Sequence, residues 1–278
     1  MNVVVDSNQL HSDALRKFLS KSDANFAVLT DYAAMEAYKG NALNGIYESM
    51  VVLSQFPKQV IVLKSTRTIC GLRGRRAGLQ RRLIDEVQTL GFPRFIDELR
   101  LAQSGDPRFQ RSLQSHGVEA TAHLDRMLSD AQTTGANIRD IANMYSGAER
   151  AAIRLGHRYS SSQIDKIAKD VMYVAGFAFR DHPNANRWPK YSELPNTFIF
   201  RAALCTYLLA LEYGAYGAGE NLSPAKLRND FVDMNFAAYG TYFDGLLTAD
   251  AKAKRIHAIA RVWLTALFDC ELPSGIVS

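Results

Sequence analysis

Five carboxylates carry the chemistry that this chain could perform. Asp6 directly follows the apolar run Val3-Val4-Val5, and Asp250 follows Leu246-Leu247-Thr248-Ala249 near the other end. Asp230 and Asp233 lie three residues apart, so on a helix they share a face, with Asn229 and Lys226 close by. Glu36 is a lone acid among Tyr32, Ala33, Ala34 and Met35. Each of these alone reads as a surface residue or a helix cap. Brought together without a counter-charge they would repel and raise one another's pKa, a conflict that a divalent cation resolves. An all-oxygen donor set selects a hard ion, Mg²⁺ or Mn²⁺. Such an ion can hold a phosphodiester, activate water and stabilise the leaving oxygen.

Cations follow the same logic. Lys64, Ser65, Thr66 and Arg67 come directly after an apolar run at 59–63, where side chains can reach a crevice and a phosphate. Arg73, Arg75, Arg76, Arg81 and Arg82 accompany Leu72, Leu79 and Leu83 at helical spacing, which reads first as a solvated helix face and second as a phosphate contact. Arg201 sits in an apolar stretch, so a structural ion pair is expected, with contact to the acids or to a substrate phosphate as the functional alternative. Asp31 and Asp244 read as a helix first-turn acid and a turn residue. Trp188, Tyr191 and Phe198 could stack bases but, as isolated aromatics, read as packing residues. The six histidines show no paired ligand spacing, and no glycine-rich phosphate loop or Ser/His/Asp pattern stands out.

Alternating elements must position these groups. The valine run predicts a buried strand ending at Asp6, and Leu10, Leu15 and Leu19 predict a helix after it. A short strand over 24–29 is followed by a helix from Asp31 to Lys39, capped by Thr30 and ended by Gly40-Asn41. A helix over 42–55 precedes a parallel strand over 59–63. Residues 66–219 read as a helical insertion or cap, broken around Gly91-Phe92-Pro93, Gly105-Asp106-Pro107 and His182-Pro183-Asn184. Ser223-Pro224 starts a helix that runs to Gly240. A strand over 242–247 follows, then a helix over 251–269 packing Ile256, Ile259, Val262, Trp263 and Leu267.

The 278 residues, 47% of them hydrophobic, suffice for a sizeable core. A net charge of +5 and a pI near 9.1 suit a polyanionic partner, although an ordinary basic surface has the same balance. Three scattered cysteines argue against a disulfide framework and a thiolate metal site, and with no basic-then-apolar leader the expectation is a cytoplasmic protein. The run from Phe198 to Leu211 is short for a bilayer and contains Arg201, so a core helix is expected and no membrane role.

The pattern resembles the PIN-domain nucleases over residues 1–65 and 220–270. Val-Val-Val-Asp6-Ser7-Asn8 is similar to the family's first motif, and Thr30 to Glu36 to its second. The helix containing Asn229-Asp230-Phe231-Val232-Asp233, Gly240, and Phe243 to Asp250 with its Thr-x-Asp ending is similar to the family's C-terminal pair. The resemblance implies a three-layer α/β/α fold with a short parallel sheet, a nuclease core from 1–65 and 220–278, and a mainly helical insertion at 66–219. It implies Asp6, Glu36, Asp233 and Asp250 as acids holding Mg²⁺ or Mn²⁺, with Asn8 and Thr248 supporting them. Asp230 is either an additional acid or the counterpart of Asp233, the spacing to Thr248-Ala249-Asp250 favouring Asp233. Lys64, Arg67, Arg73, Arg75, Arg76 and Arg201 are the substrate-binding candidates. The implied activity is ribonuclease, with a toxin of a toxin–antitoxin pair among the roles. Alternatives are a catalytically idle module binding RNA or protein and a structure-specific DNA nuclease. The implied partners are RNA or DNA, an antitoxin protein and a second copy of the chain.

Overall fold

The computed structural model describes residues 1–39, 43–154, 159–185, 188–216, 223–270 and 272–273, with side chains described except at 127–139, 142 and 267. Four parallel strands form the sheet: β1 (Asn2–Val5), β2 (Phe26–Leu29), β3 (Val60–Val62) and β4 (Gly245–Leu247), in the order β3-β2-β1-β4. Val4 pairs with Val28 on one side and with Leu246 on the other. The chain's first strand is therefore central, and its last strand lies beside it. Strand order advances from β1 to β3 in one direction, then reverses to place β4 on the other side of β1. In open α/β sheets such a reversal opens a crevice at the carboxyl ends of the two strands.

Helices α1 (Asp13–Ser20), α2 (Asp31–Tyr38) and α3 (Leu43–Met50) come from the first part of the chain. The middle contributes α4 (Thr66–Cys70), α5 (Leu79–Leu83), α6 (Glu86–Gln103), α7 (Pro107–Asn143), α8 (Gly147–Arg154), α9 (Ser161–Asp181) and α10 (Phe198–Tyr216). The last part adds α11 (Pro224–Gly240) and α12 (Ala251–Phe268). Successive strand residues point to opposite faces, and each face has its own core. Val4 and Val28 pack with Ile167, Leu204, Leu208 and Ala237, whereas Val5, Ala27 and Leu29 pack with Leu15, Ile46, Phe92 and Ile96. The fold is α/β, with helices covering both faces of a small parallel sheet. Residues of 66–219 share these cores with both ends of the chain.

Local chemistry sets the helix starts. Thr30 accepts from Ala33 N, Ser223 from Lys226 N with Pro224 at the first position, and Asp250 from Ala253 N. Several expectations need correction. Gly91-Phe92-Pro93 does not break the chain; α6 runs through Pro93 because Phe92, Ile96 and Leu99 bury one helical stripe. A proline inside a helix costs about 3 kcal/mol, which burying three such side chains at roughly 1.5–3 kcal/mol each offsets. The helix expected over 42–55 divides into α3 and a 3₁₀ turn at Leu53–Gln55. The arginine-rich segment is a loop until Leu79, so Arg73, Arg75 and Arg76 do not lie on a helix face. Val262 is 65% exposed and packs little, while Leu264 is fully buried. The expected helix end at Gly40-Asn41, the boundary at Gly219 and the Leu267 side chain lie outside the described residues. Helix α10 is long and apolar enough to cross a bilayer, yet 78% of its apolar window is buried within the fold, as for a core helix.

Candidate active site

Asp6 leaves β1 at the strand-order reversal and is 2% exposed. Its Oδ2 accepts from Asn8 Nδ2 (2.7 Å) and from the Thr248 hydroxyl, and its Oδ1 from Ser7 Oγ (3.3 Å) and Asn8 N (3.4 Å). Burial pushes the Asp6 carboxyl up, and these hydrogen bonds oppose the shift. Thr248 also accepts from Asp250 N (3.0 Å), and Asn8 Oδ1 accepts from Ala249 N (3.3 Å). Asn8 and Thr248 thus stitch the turn after β1 to the turn after β4. Asp6 and Asp250 consequently stand side by side at the carboxyl ends of β1 and β4 although they are 244 positions apart in the chain.

Helix α11 delivers two more acids, and their surroundings differ. Asp230 is 5% exposed, accepts from the Tyr213 hydroxyl on Oδ2 and pairs with Lys252 through Oδ1. Burial raises its pKa, Lys252 opposes the rise, and Asp250 adds to it. Among the described residues, no hydrogen bond or ion pair reaches the carboxylate of Asp233. Burial, then the charges of Asp6, Asp250 and Asp230, push it up to about 8. Lys252 lowers it, but less than the others raise it. Asp233 is therefore the acid that feels the whole group and has no proton donor of its own. One oxygen of Asp250 caps α12 through Ala253 N (2.7 Å).

Glu36 stands apart. Its carboxylate pairs with Lys39 of the following turn at 2.5 Å, and it does not figure among the charges that shift Asp6, Asp230 or Asp233. Asp31 and Asp244 hold backbone: Asp31 accepts from Thr66 N and Oγ1 (2.6 Å each), tying the end of β2 to that of β3, and Asp244 accepts from Asn2 N (2.6 Å).

The cations are dispersed. Lys64 follows β3, two strands from β1 or roughly 10 Å across the sheet, and donates to Arg82 O (3.0 Å). Arg67, Arg73 and Arg75 are exposed farther along, and Arg76 donates to Asp269 O (2.9 Å). Arg201 is 1% exposed, and the ion pair expected for it is not what holds it. Its guanidinium donates to Pro195 O (2.9 Å), Thr241 O (2.8 Å) and Thr241 Oγ1 (3.0 Å), and lies 3.8 Å from the centre of the Tyr242 ring. Those residues lead into β4, so Arg201 is at the opposite end of that strand from the acids. Trp188 and Tyr191 are 51% and 72% exposed, Trp188 with one edge of its ring packed on Phe179, whereas Phe198 is buried and stacks on Tyr239 at 4.2 Å.

Sequence reasoning missed Lys252 and Tyr213. The position of Lys252, two residues after Asp250 on the first turn of α12, was the available signal; Tyr213 lies in a helix whose apolar run hides its hydroxyl. The donor set of the crevice, carboxylates with one left unneutralised, suits a hard divalent cation in its chemistry. In its spacing it is not closed: among the described residues, no three or more His, Cys, Asp or Glu side chains are grouped so as to hold a metal ion. No family model, curated protein or solved structure matches the chain, which leaves the crevice's own carboxylates, hydrogen bonds and charges as the basis for a functional reading.

Proposed function

We propose that the protein is a PIN-like nuclease, dependent on Mg²⁺ or Mn²⁺, that hydrolyses RNA phosphodiester bonds at the crevice between β1 and β4. The observation that carries this reading is Asp233, a carboxyl raised to about 8 by burial and by Asp6, Asp250 and Asp230, with no proton donor among the described residues. Asp6, Asp233 and Asp250 would hold the cation, which when bound would supply Lewis-acid activation of water and charge for the leaving oxygen. Asn8 and Thr248 orient the Asp6 carboxylate by donating to it and oppose the rise in pKa that burial imposes. Tyr213 and Lys252 engage both oxygens of Asp230, which makes it a supporting acid that adds to the field Asp6 and Asp250 exert at Asp233. Glu36, paired to Lys39, is left out of this set.

Cleavage of a generic single-stranded RNA with Mn²⁺ tests the reading. Asp6→Asn and Asp250→Asn should each lower the rate by more than about 100-fold, and Thr248→Ala by about 10–100-fold, the range for groups that support a metal ligand. Parallel single-stranded and flapped DNA substrates separate a DNA-directed enzyme. A second reading, a PIN-like module that binds RNA or protein without cutting, is favoured by the full hydrogen bonding of Asp6 and the open spacing of the acids. Binding that neither responds to Mn²⁺ nor leads to cleavage would select it.

A further inference from the structure

A concavity away from the carboxylates forms where the loop after α4 folds against the end of α9. It encloses about 390 Å³, and Arg73, Arg75, Asn184, Trp188, Lys190 and Glu193 line it. The loop is fixed through its backbone. Arg82 donates Nη1 to Arg73 O (2.7 Å) and Nη2 to Arg75 O, Asn196 Nδ2 donates to Gly74 O (3.2 Å), and Asn184 Nδ2 to Arg67 O (2.9 Å). Glycine is required at position 74 because a Cβ there would fall 1.9 Å from Glu193 O. The side chains are left over. Among the described residues, no hydrogen bond or ion pair engages the side chains of Arg67, Arg73, Arg75 or Lys190, and Glu193 is the one acid lining the pocket.

An unbalanced cluster of cations marks an anion site, and Trp188 narrows the kind of anion. Its indole is held against Phe179 with ring centroids 5.2 Å apart at 63°, yet remains 51% exposed. A positioned, accessible ring beside unpaired guanidinium groups provides a stacking platform next to phosphate contacts, the combination that single strands use. An acidic peptide would answer the charge but not the ring. We propose that this pocket binds single-stranded nucleic acid, with a base stacked on Trp188 and the adjoining phosphates held by Arg73, Arg75 and Lys190. The proposal does not rest on cleavage at the carboxylate crevice.

Short oligouridylate and oligothymidylate probes, titrated in EDTA by anisotropy and tryptophan fluorescence, test it; the two probes separate ribose from deoxyribose. Binding of either should quench Trp188, since Trp263 is 5% exposed. Trp188→Ala should weaken affinity about 5- to 100-fold and abolish the quench, while Trp188→Phe retains most of the affinity. A variant combining Arg73→Ala, Arg75→Ala and Lys190→Ala should weaken it about tenfold or more and lower the salt slope by about 0.7 for each phosphate left without its cation. Unchanged thermal melting of the variants excludes misfolding as the cause. The Asp6→Asn, Asp250→Asn protein should bind as the parent does, even where cleavage is abolished. The proposal is overturned if neither probe binds, if the pocket variants bind as the parent does, or if phosphatidylserine vesicles or polyglutamate bind there in place of the oligonucleotides.

Discussion

The two ends of β4 each hold buried charge, and they hold it differently. At the start of the strand, the fully buried Arg201 guanidinium is met by carbonyl oxygens, a hydroxyl and the Tyr242 ring. At its end, Asp6 and Asp230 are also met by donors, but Asp233 is pushed to about 8 with none among the described residues. A buried ion whose hydrogen-bonding capacity is engaged is part of the architecture. A carboxyl whose ionised form meets the repulsion of its neighbours holds its proton to higher pH in the metal-free protein, a proton that a bound cation would displace. Burial alone therefore does not distinguish the architectural end from the candidate site; the carboxyl without a donor does.

The largest effect should come from the structural end. Arg201→Ala orphans several buried acceptors and opens a cavity, and should cost about 4 kcal/mol or more, lowering Tm by roughly 10 °C in calorimetry. The functional end should respond with the opposite sign. Asp233 titrates near about 3.9 when unfolded and near about 8 when folded. The folded state thus binds this proton more tightly. Its contribution to stability is fully present below about pH 4 and is lost as pH rises through about 8. In chelator, Asp233→Asn should therefore raise Tm by about 3 °C or more at pH 8 and flatten the stability profile between those limits. A destabilised Asp233→Asn would remove the contrast between the two ends.

Lys252→Met should act in between. It leaves the buried Asp230 without its cation and should cost about 1–3 kcal/mol at neutral pH. Because burial raises the Asp230 pKa, this cost should shrink as the pH falls and the carboxyl protonates. The smallest effect belongs to Val262→Thr, at a site 65% exposed, which should stay within about 0.5 kcal/mol by chemical denaturation.

Much of the frame around the crevice was legible in the residues. The Val3-Val4-Val5 run, the Thr30 and Ser223 caps and the acids after the first and last strands have local causes; the first strand and the two capped helices stand where the sequence puts them, and the last strand, expected over 242–247, is shorter, Gly245–Leu247. What was not legible depends on neighbours distant in sequence. Pro93 reads as a breaker until Phe92, Ile96 and Leu99 have a sheet to bury against. Arg201 reads as half of an ion pair because the carbonyls that receive it are contributed by 195 and 241. The different surroundings of Asp230 and Asp233, identical in residue type and three apart, arise from Lys252 and Tyr213 on other helices. Glu36 shows the reverse case: an isolated acid in the sequence, it is engaged in the structure by Lys39, one turn on.

Proton release on Mn²⁺ binding is the most direct test of the role given to the Asp233 carboxyl. Near pH 7 most Asp233 carboxyls should carry a proton, and a cation entering the crevice must displace it. Isothermal titration in buffers of different ionisation enthalpy should show close to one proton released per ion bound, a release that disappears in Asp233→Asn. No Mn²⁺ binding, or binding with the same proton count in that variant, would contradict the account.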